Sequence, residues 1–221
     1  MDESPSDTEL CDRYSQLYPG AVTDVLDDRG VLDQTLDRDI GPLSTDMQTA
    51  GVAYPVVGRP NRSVEPEDNI RKMVEMLTDA PEDGLLLYDT NDDRFSHIGE
   101  LSVTALKESG CRGAVIDGGA RDVAYILDHD FPVFSKYTTP ADAVPRWELL
   151  DWGVSTVVGG VEVEPGDIVV GDVDGVVVVS REIAPEVLKE AEAIASTENI
   201  VRQAVRNGVT PIDAYEEYGK F

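Results

Sequence analysis

Short buried strands alternate with helices between residues 85 and 135, and this order constrains the fold more than any other feature of the sequence. The apolar runs at 85–88, 113–116 and 132–135 have the length and composition of buried strands. The segments between them, 101–109 and 121–127, have the apolar spacing of helices. Because strands that alternate with helices form a sheet covered by those helices, the order predicts an α/β fold.

The segments on both sides extend this pattern, and a length of 221 residues is that of one domain. Apolar spacing predicts further helices at residues 10–29, with an interruption at Pro19-Gly20, and at 69–78, 183–206 and 212–218. Strands are predicted at 47–57, 156–163, 168–170 and 176–179, and an Asp-Gly turn joins the last two into a hairpin. We expect a loose acidic lead-in at residues 1–10 and a single β/α domain at residues 11–221.

The charge of the chain excludes several classes of partner. There are 44 acidic and 18 basic residues, which gives a formal charge of −26. A field this negative repels phosphate backbones and anionic lipids, so neither a nucleic acid nor a membrane surface is expected as a partner. Because 41% of the residues are hydrophobic, a core can form despite the charge. The excess of Asp over Glu and of Arg over Lys favours a protein adapted to high salt, and an acidic mesophilic enzyme is the alternative.

The few cysteines and histidines of the chain limit its cellular compartment and the metal sites that it can form. No apolar run approaches the roughly 18 residues of a membrane span, and the acidic N-terminus lacks the features of a signal peptide. Cys11 and Cys111 cannot form a disulfide framework, so a cytoplasmic protein is expected. With His97 and His129 as the two histidines, a His-rich metal site is excluded. Any metal site must use carboxylates and water, which favours Mg²⁺ or Mn²⁺.

Residues 99–123 contain the candidate site. Ligands bind at the carboxyl ends of strands in open α/β sheets, and residues 117–122 follow such a strand. Arg121 offers a bidentate fork for an anion, and the helix that begins near Glu100 offers backbone N–H groups. Glu100 and Asp122 offer oxygen ligands to a hard cation. This combination suits a 2-oxo acid, although ordinary helix capping and ion pairing explain the same residues and are favoured by spacing alone.

Two motifs in this region resemble those of the RraA-like family, which includes the class II 4-hydroxy-4-methyl-2-oxoglutarate/4-carboxy-4-hydroxy-2-oxoadipate aldolases. The first is Gly99-Glu100-Leu101, and the second is the stretch from Val115 to Asp122, VIDGGARD. Twenty residues separate Glu100 from Arg121, as in the aldolases. Further matches at Pro132-Val133-Phe134 and Pro165-Gly166-Asp167 extend the resemblance over nearly the whole chain.

The resemblance implies a swivelling β/β/α sandwich that assembles as a homotrimer or hexamer with active sites between subunits. It implies that Asp122 binds a divalent cation, Mg²⁺ or Mn²⁺, that Glu100 contacts this metal through water, and that Arg121 binds the pyruvyl part of the substrate. The backbone around Gly99, Leu101 and Ser102 is expected to hold the substrate carboxylate. Glu198 is expected to enter the site from the C-terminal helix of a neighbouring subunit.

The activity that the resemblance implies is a metal-dependent lyase that cleaves a 4-hydroxy-2-oxo acid and releases pyruvate, with decarboxylation of oxaloacetate as a side activity. No lysine lies in the motif, which argues against a Schiff-base aldolase. The alternative is a non-catalytic member that binds and regulates a ribonuclease. Such members typically lack the acid found at Glu100. Tyr125 stands where family members often have an acid, which leaves the choice of substrate open.

Four remaining residues are expected to have structural roles. His97 lies close to Glu100 in sequence and could line a pocket there, but a loop residue with a solvent partner is the favoured interpretation. His129 is predicted to be a surface or packing residue. Cys111 is predicted to fill a small buried space between helix and strand. Asp117 either supports the site residues from behind or caps the glycine-rich turn.

Overall fold

A nine-stranded sheet, helices on one face and a small hairpin on the other make up the structure, a computed structural model that describes residues 5–219. The strands are β1 Gly41–Pro42, β2 Thr49–Pro60, β3 Gly84–Asp89, β4 Ser96–Ile98, β5 Gly113–Ala120, β6 Val133–Thr138, β7 Trp147–Trp152, β8 Thr156–Val158, β9 Val161–Val163, β10 Ile168–Asp172 and β11 Gly175–Val179. The helices are α1 Asp7–Tyr14, α2 Pro19–Asp28, α3 Pro66–Thr78, α4 Glu100–Glu108, α5 Val123–Asp128, α6 Ala184–Arg206 and α7 Pro211–Tyr218.

The sheet has the order β1-β6-β5-β3-β2-β10-β11, with β4 beside β5 and β7 beside β2. Strands β2, β3, β5 and β6 are parallel, so their carboxyl ends share one edge. The terminal strands β1 and β11 contact each other, and the sheet is therefore nearly closed. None of the helices in residues 5–219 has the length and apolar character that crossing a membrane requires.

Alternate residues of the central strands face two different layers. In β3, Leu86 and Tyr88 pack with residues of α3, α4 and α5, whereas Leu85 and Leu87 pack against the β8–β9 hairpin. In the β10–β11 hairpin, one set of valines packs with β8–β9 and the other with α1, α2 and α6. The three layers are a hairpin, a sheet and helices, which confirms the predicted α/β class and the β/β/α sandwich.

Local sequence explains where most elements begin and end. Pro19 occupies the first turn of α2, where its missing N–H is tolerated, and so divides the predicted 10–29 helix into α1 and α2. The predicted strand at 156–163 is wrong, because Gly159 and Gly160 adopt positive φ angles (54° and 84°) and turn the chain into the β8–β9 hairpin. Glycine reaches such angles without the steric cost that a side chain brings.

Two further expectations differ from the structure. The lead-in was placed at residues 1–10, but α1 begins at Asp7 and Leu10 is buried, so residues 7–10 belong to the folded domain. Residues 1–4 of that lead-in lie outside the described part of the chain. The glycine-rich turn predicted after β5 is a continuation of the strand, in which Gly119 pairs with Tyr137 of β6. A Cβ at Gly119 would lie 2.5 Å from the Tyr137 ring, so glycine is needed for close strand packing.

Candidate active site

Four of the predicted site residues lie together at the carboxyl end of β5, just before α5 begins. The backbone N–H of Arg121 donates to the carbonyl of Ile98 (3.0 Å), which ties the end of β5 to the segment that enters α4. The backbone N–H of Glu100 donates to Oδ2 of Asp122 (3.3 Å), a residue 22 positions away in sequence. The two motifs are therefore in direct contact.

Gly99 is the point of closest approach between these motifs. A Cβ added there would lie 2.6 Å from Asp122 Oδ2 and 3.2 Å from Arg121 Nε. Its φ of −151° is extended, so the glycine is needed for space and not for an unusual backbone angle. The sequence predicts that Gly99 belongs to the site, and in the structure the absence of a side chain there lets Asp122 and Arg121 approach.

Asp122 occupies the N-cap position of α5 in a left-handed backbone conformation, with φ 58° and ψ 33°, and its side chain makes no capping hydrogen bond. Aspartate and asparagine visit this region more readily than most residues with side chains. The conformation places the carboxylate beside Gly99 and Glu100, and about two fifths of the side chain remains exposed (42%). A carboxylate at this position can bind a group that arrives from solvent, while the backbone around it stays fixed.

Arg121 lies between two carboxylates. Its Nε is 3.5 Å from Asp122 Oδ2, and its Nη1 is 3.3 Å from Asp142 Oδ2. Asp142 was not predicted from the sequence, because it lies in a coil between β6 and β7 and belongs to neither motif. Backbone pairing of Ser96 with Ala141 and Ala143 holds this coil beside the site. The two carboxylates orient the guanidinium group, which keeps further N–H donors for an anion.

The side chain of Glu100 contacts a second set of polar side chains, Thr104 and His129. Its Oε1 is 3.4 Å from Thr104 Oγ1 and 3.7 Å from His129 Nε2. Thr104 Oγ1 is also 3.3 Å from His129 Nε2, so the three side chains form a contiguous set. The expectation that His129 is a surface or packing residue missed this contact, for which the sequence offers no motif.

Two residues of the cluster, Gly99 and Arg121, border a pocket of about 730 Å³. Gly99, Ser102, Arg121 and Asp142 line it, and apolar residues of α3 and Leu101 form much of the remaining wall. A second pocket, of about 320 Å³, lies on the other side of Arg121 and includes Asp122. The predicted substrate-binding positions Gly99, Leu101, Ser102 and Arg121 therefore lie around one concave surface. Its size is that of a small-molecule site.

The residues present fit a hydrated hard cation better than a fully protein-ligated one. Within residues 5–219 no group of three or more His, Cys, Asp or Glu side chains is placed to hold a metal ion. Mg²⁺ commonly binds through one or two carboxylates and keeps several waters. Asp122 as the direct ligand, with Glu100 nearby as a partner for water, is a donor set of this kind.

Glu198 is not part of this cluster within one chain. It lies on α6, where its Oε2 accepts a hydrogen bond from Tyr18 and lies 3.9 Å from Arg202 Nη2. Burial together with the Glu198 hydrogen bond raises the pKa of Tyr18. A role for Glu198 in catalysis thus stays a prediction about the site of a neighbouring copy.

Two other sequence expectations need correction. His97 is not a loop residue but lies in β4, where it is 3% exposed and borders the pocket of about 730 Å³, as the alternative interpretation had it. Its ring nitrogens have no hydrogen-bond partner among residues 5–219, and Nε2 lies 3.6 Å from Asp92 Oδ2. Burial lowers the pKa of His97 to about 4, because the charged imidazolium loses its hydration. Asp117 neither caps the predicted glycine-rich turn nor contacts the cluster. Its carboxylate accepts from Gly159 N (2.7 Å) in the β8–β9 turn and pairs with Lys136 Nζ (2.6 Å). Cys111 is buried, as predicted.

Comparison with known proteins places these features in a family. A model of the RraA-like family, described as Aldolase/RraA, matches residues 8–178. A provisionally named 4-hydroxy-4-methyl-2-oxoglutarate aldolase of Halalkalibacterium halodurans is 28% identical over 214 residues, which cover 97% of each chain.

Two further matches are closer in sequence. An uncharacterized protein of Methanocaldococcus jannaschii is 42% identical over 110 residues, covering 50% of this chain and 52% of that relative, so the match spans about half of its length. A solved structure described among novel cellulases from microbes of the gut ecosystem is 36% identical, with a TM-score of 0.84 and coverage of 90% of this chain and 89% of that one.

Proposed function

The chain belongs to the RraA-like family, and from that membership and the Arg121–Asp122–Glu100 cluster we propose that it is a divalent-metal-dependent lyase. Its proposed substrate is a 4-hydroxy-2-oxo acid of the 4-hydroxy-4-methyl-2-oxoglutarate type, which it cleaves with release of pyruvate. The observation that carries the proposal is the contact of Asp122 with both Glu100 and Arg121. An anion-binding fork and two carboxylates suited to a hard cation are then in contact. Arg121 lines both the pocket of about 730 Å³ and the pocket of about 320 Å³ that contains Asp122.

Substrate binding is assigned to Arg121 and to the start of α4. The first backbone hydrogen bond into this helix runs from Val103 N to the carbonyl of Gly99 (3.0 Å). The N–H groups of Leu101 and Ser102 precede it, and N–H groups at a helix start attract anions. The carboxylate of a 2-oxo acid placed there is also within the reach of the Arg121 guanidinium, which has further donors to offer.

Retro-aldol cleavage needs a proton acceptor and a stabilised negative charge. Glu100 takes the proton of the C4 hydroxyl through a water molecule, and the C3–C4 bond breaks with its electron pair passing towards the C2 carbonyl. Arg121 stabilises the charge that develops on the C2 oxygen. A divalent cation held at Asp122 supplies Lewis-acid stabilisation of that same charge. Protonation at C3 then yields pyruvate, and loss of CO₂ from oxaloacetate produces the same enolate.

A coupled assay tests the proposal. Purified protein is incubated with 4-hydroxy-4-methyl-2-oxoglutarate or oxaloacetate, and pyruvate is measured through lactate dehydrogenase, with Mg²⁺ or Mn²⁺ and then with EDTA. We expect pyruvate release that EDTA abolishes and that added metal restores. Release of reducing sugar from carboxymethylcellulose is the counter-assay, because one solved relative is described among cellulases. No metal-dependent pyruvate from either acid contradicts the proposal for these substrates.

The rival function is that of a non-catalytic regulator of a ribonuclease. Glu100 stands against it, because the regulatory members typically lack an acid there. The formal charge of −26 also disfavours any acidic protein partner, because like charges repel.

A further inference from the structure

A third pocket at the same edge of the sheet is lined by arginines that have no carboxylate partner. It has a volume of about 640 Å³ and is separate from the pocket that contains Gly99 and Asp142. Arg62, Arg94 and Arg146 line it, and we call it the three-arginine pocket. Residues of the β3–β4 loop, of β5 and of β6 complete its wall, so it lies near the carboxyl ends of parallel strands, where α/β folds bind ligands.

The arginines of this pocket are exceptional within so acidic a chain. The sequence has 13 arginines and 44 carboxylate side chains. Eight of the arginines form an ion pair within 4.0 Å, and these are Arg13, Arg29, Arg38, Arg59, Arg112, Arg121, Arg181 and Arg202. Among the described residues, the five without such a pair are Arg62, Arg71, Arg94, Arg146 and Arg206. Three of these five converge on one pocket.

The acidic residues of the pocket wall form no ion pair with these arginines. Asp92 is turned inward with 2% of its side chain exposed, and it accepts from the backbone N–H groups of Arg94 and Phe95. Asp117 is engaged by Lys136 and by the backbone of Gly159. Asp93 is the remaining acid of the wall, against three guanidinium groups.

The guanidinium groups are also held in place. Those of Arg94 and Arg146 lie 5.8 and 5.3 Å from the centroid of the Phe95 ring, and such cation–π contacts fix a guanidinium while leaving its N–H donors free. Arg146 Nη1 donates to the carbonyl of Asp142 (2.8 Å), and its other donors remain for a ligand. Two of the three cations are therefore positioned before any ligand arrives.

We propose that the three-arginine pocket binds a small oxyanion with two or more negative charges, at a site distinct from Arg121. Guanidinium forks bind carboxylates and phosphates in a bidentate manner, so the shared chemistry is a cluster of charged oxygens. Four cationic side chains face three carboxylates in the lining, which leaves an excess of positive charge, and three guanidinium forks can share the oxygens of one polyvalent anion. The rest of the acidic surface repels anions, so an anion binds selectively where positive charge is in local excess.

Binding is measured by isothermal titration calorimetry, without divalent metal and at constant ionic strength set with NaCl. Citrate is the polycarboxylate probe and pyrophosphate is the phosphate probe. The variants are Arg62→Gln, Arg94→Gln and their combination. Arg206→Gln is the matched control, because Arg206 is also unpaired but lies on α6, and Arg121→Gln tests independence from the candidate active site.

We expect at least one probe to bind the wild type, Arg206→Gln and Arg121→Gln alike, and to bind each single pocket variant about tenfold more weakly. Binding of citrate alone or pyrophosphate alone identifies the source of the charged oxygens. Circular dichroism confirms that each variant is folded. The proposal is overturned if neither probe binds the wild type, if the pocket variants bind normally, or if Arg121→Gln alone removes binding.

Discussion

Single atoms decide the geometry around Asp122. Its carboxylate accepts from Glu100 N and lies beside Arg121, and the absence of a side chain at Gly99 allows both contacts. The motifs predicted from the sequence placed these four residues in one site. Asp142 and His129 could not be predicted, because they reach the cluster from the β6–β7 coil and the end of α5, and only the folded chain brings them near Arg121 and Glu100.

The space at Gly99 leads to a prediction for Gly99→Ala. The new methyl group displaces the Asp122 carboxylate and the Arg121 side chain, so kcat/KM for pyruvate release falls at least tenfold, since small displacements of catalytic groups are costly. The melting temperature stays close to that of the wild type. Gly41→Ala is the matched control, because its Cβ would meet nothing within 4 Å. Equal activity of both variants would show that Gly99 does not shape the site.

The charge of Asp122 is tested by Asp122→Asn. Asparagine tolerates the left-handed backbone of this position and has nearly the same shape, so the fold survives. Loss of the carboxylate removes the proposed metal ligand, and we expect turnover to fall by a factor of about 10³ or more. Asp128→Asn, on the same helix, is the control. Activity near that of the wild type in Asp122→Asn means that the metal ligand is assigned to the wrong residue.

Elements with a clear apolar period were predictable, and those fixed by pairing were not. The central strands and the long α6 helix have apolar runs or helical spacing, and they occur where the sequence indicates them. Strand β4 has three residues and exists because it pairs with β5, and β7 exists because it pairs with the extended end of β2. Such strands depend on a partner that is distant in sequence, and local patterns do not reveal them.

The burial of His97 within β4 makes stability depend on pH. Between pH 6.5 and about 4 the unfolded chain binds a proton at this residue and the folded chain does not, so the free energy of unfolding falls as the pH falls. From pH 7 to 5.5 the expected loss is about 1 kcal/mol. Urea unfolding at the two pH values measures it.

The two histidines of the chain provide a matched pair of variants for this measurement. His97→Gln removes the titrating group and with it the loss of about 1 kcal/mol between pH 7 and 5.5. His129→Gln retains that loss because His97 is intact. An unchanged pH dependence in His97→Gln contradicts the account of the β4 histidine.

At the scale of the whole molecule, the candidate site is open, and Glu198, one of its predicted residues, lies elsewhere in the chain. Glu198 contacts Tyr18 and Arg202 in its own chain, so the cluster around Asp122 gains an acid from α6 only if another copy supplies it. The family resemblance implied such sharing between the subunits of a homotrimer or hexamer. The sequence could suggest Glu198 by analogy, but subunit contacts depend on surfaces that no local pattern defines.

Mixing two inactive variants tests this sharing. Asp122→Asn and Glu198→Gln each impair every site of a homo-oligomer, whereas mixed oligomers contain some sites with both native residues. After unfolding and refolding an equal mixture, we expect activity to return to about a quarter of the wild-type value. The separately refolded variants stay inactive. Full activity of Glu198→Gln alone, or no recovery on mixing, excludes a shared site that uses Glu198.

Stabilisation of the pyruvate enolate by the Arg121–Asp122–Glu100 cluster can be measured whatever the natural substrate is. Pyruvate is incubated with the protein and Mg²⁺ in D₂O, and exchange of its methyl protons is followed by NMR. We expect exchange well above the uncatalysed rate, and we expect it to be lost with EDTA and in Asp122→Asn. No exchange above background by the folded wild-type protein, with Mg²⁺ or with Mn²⁺, would contradict this stabilisation.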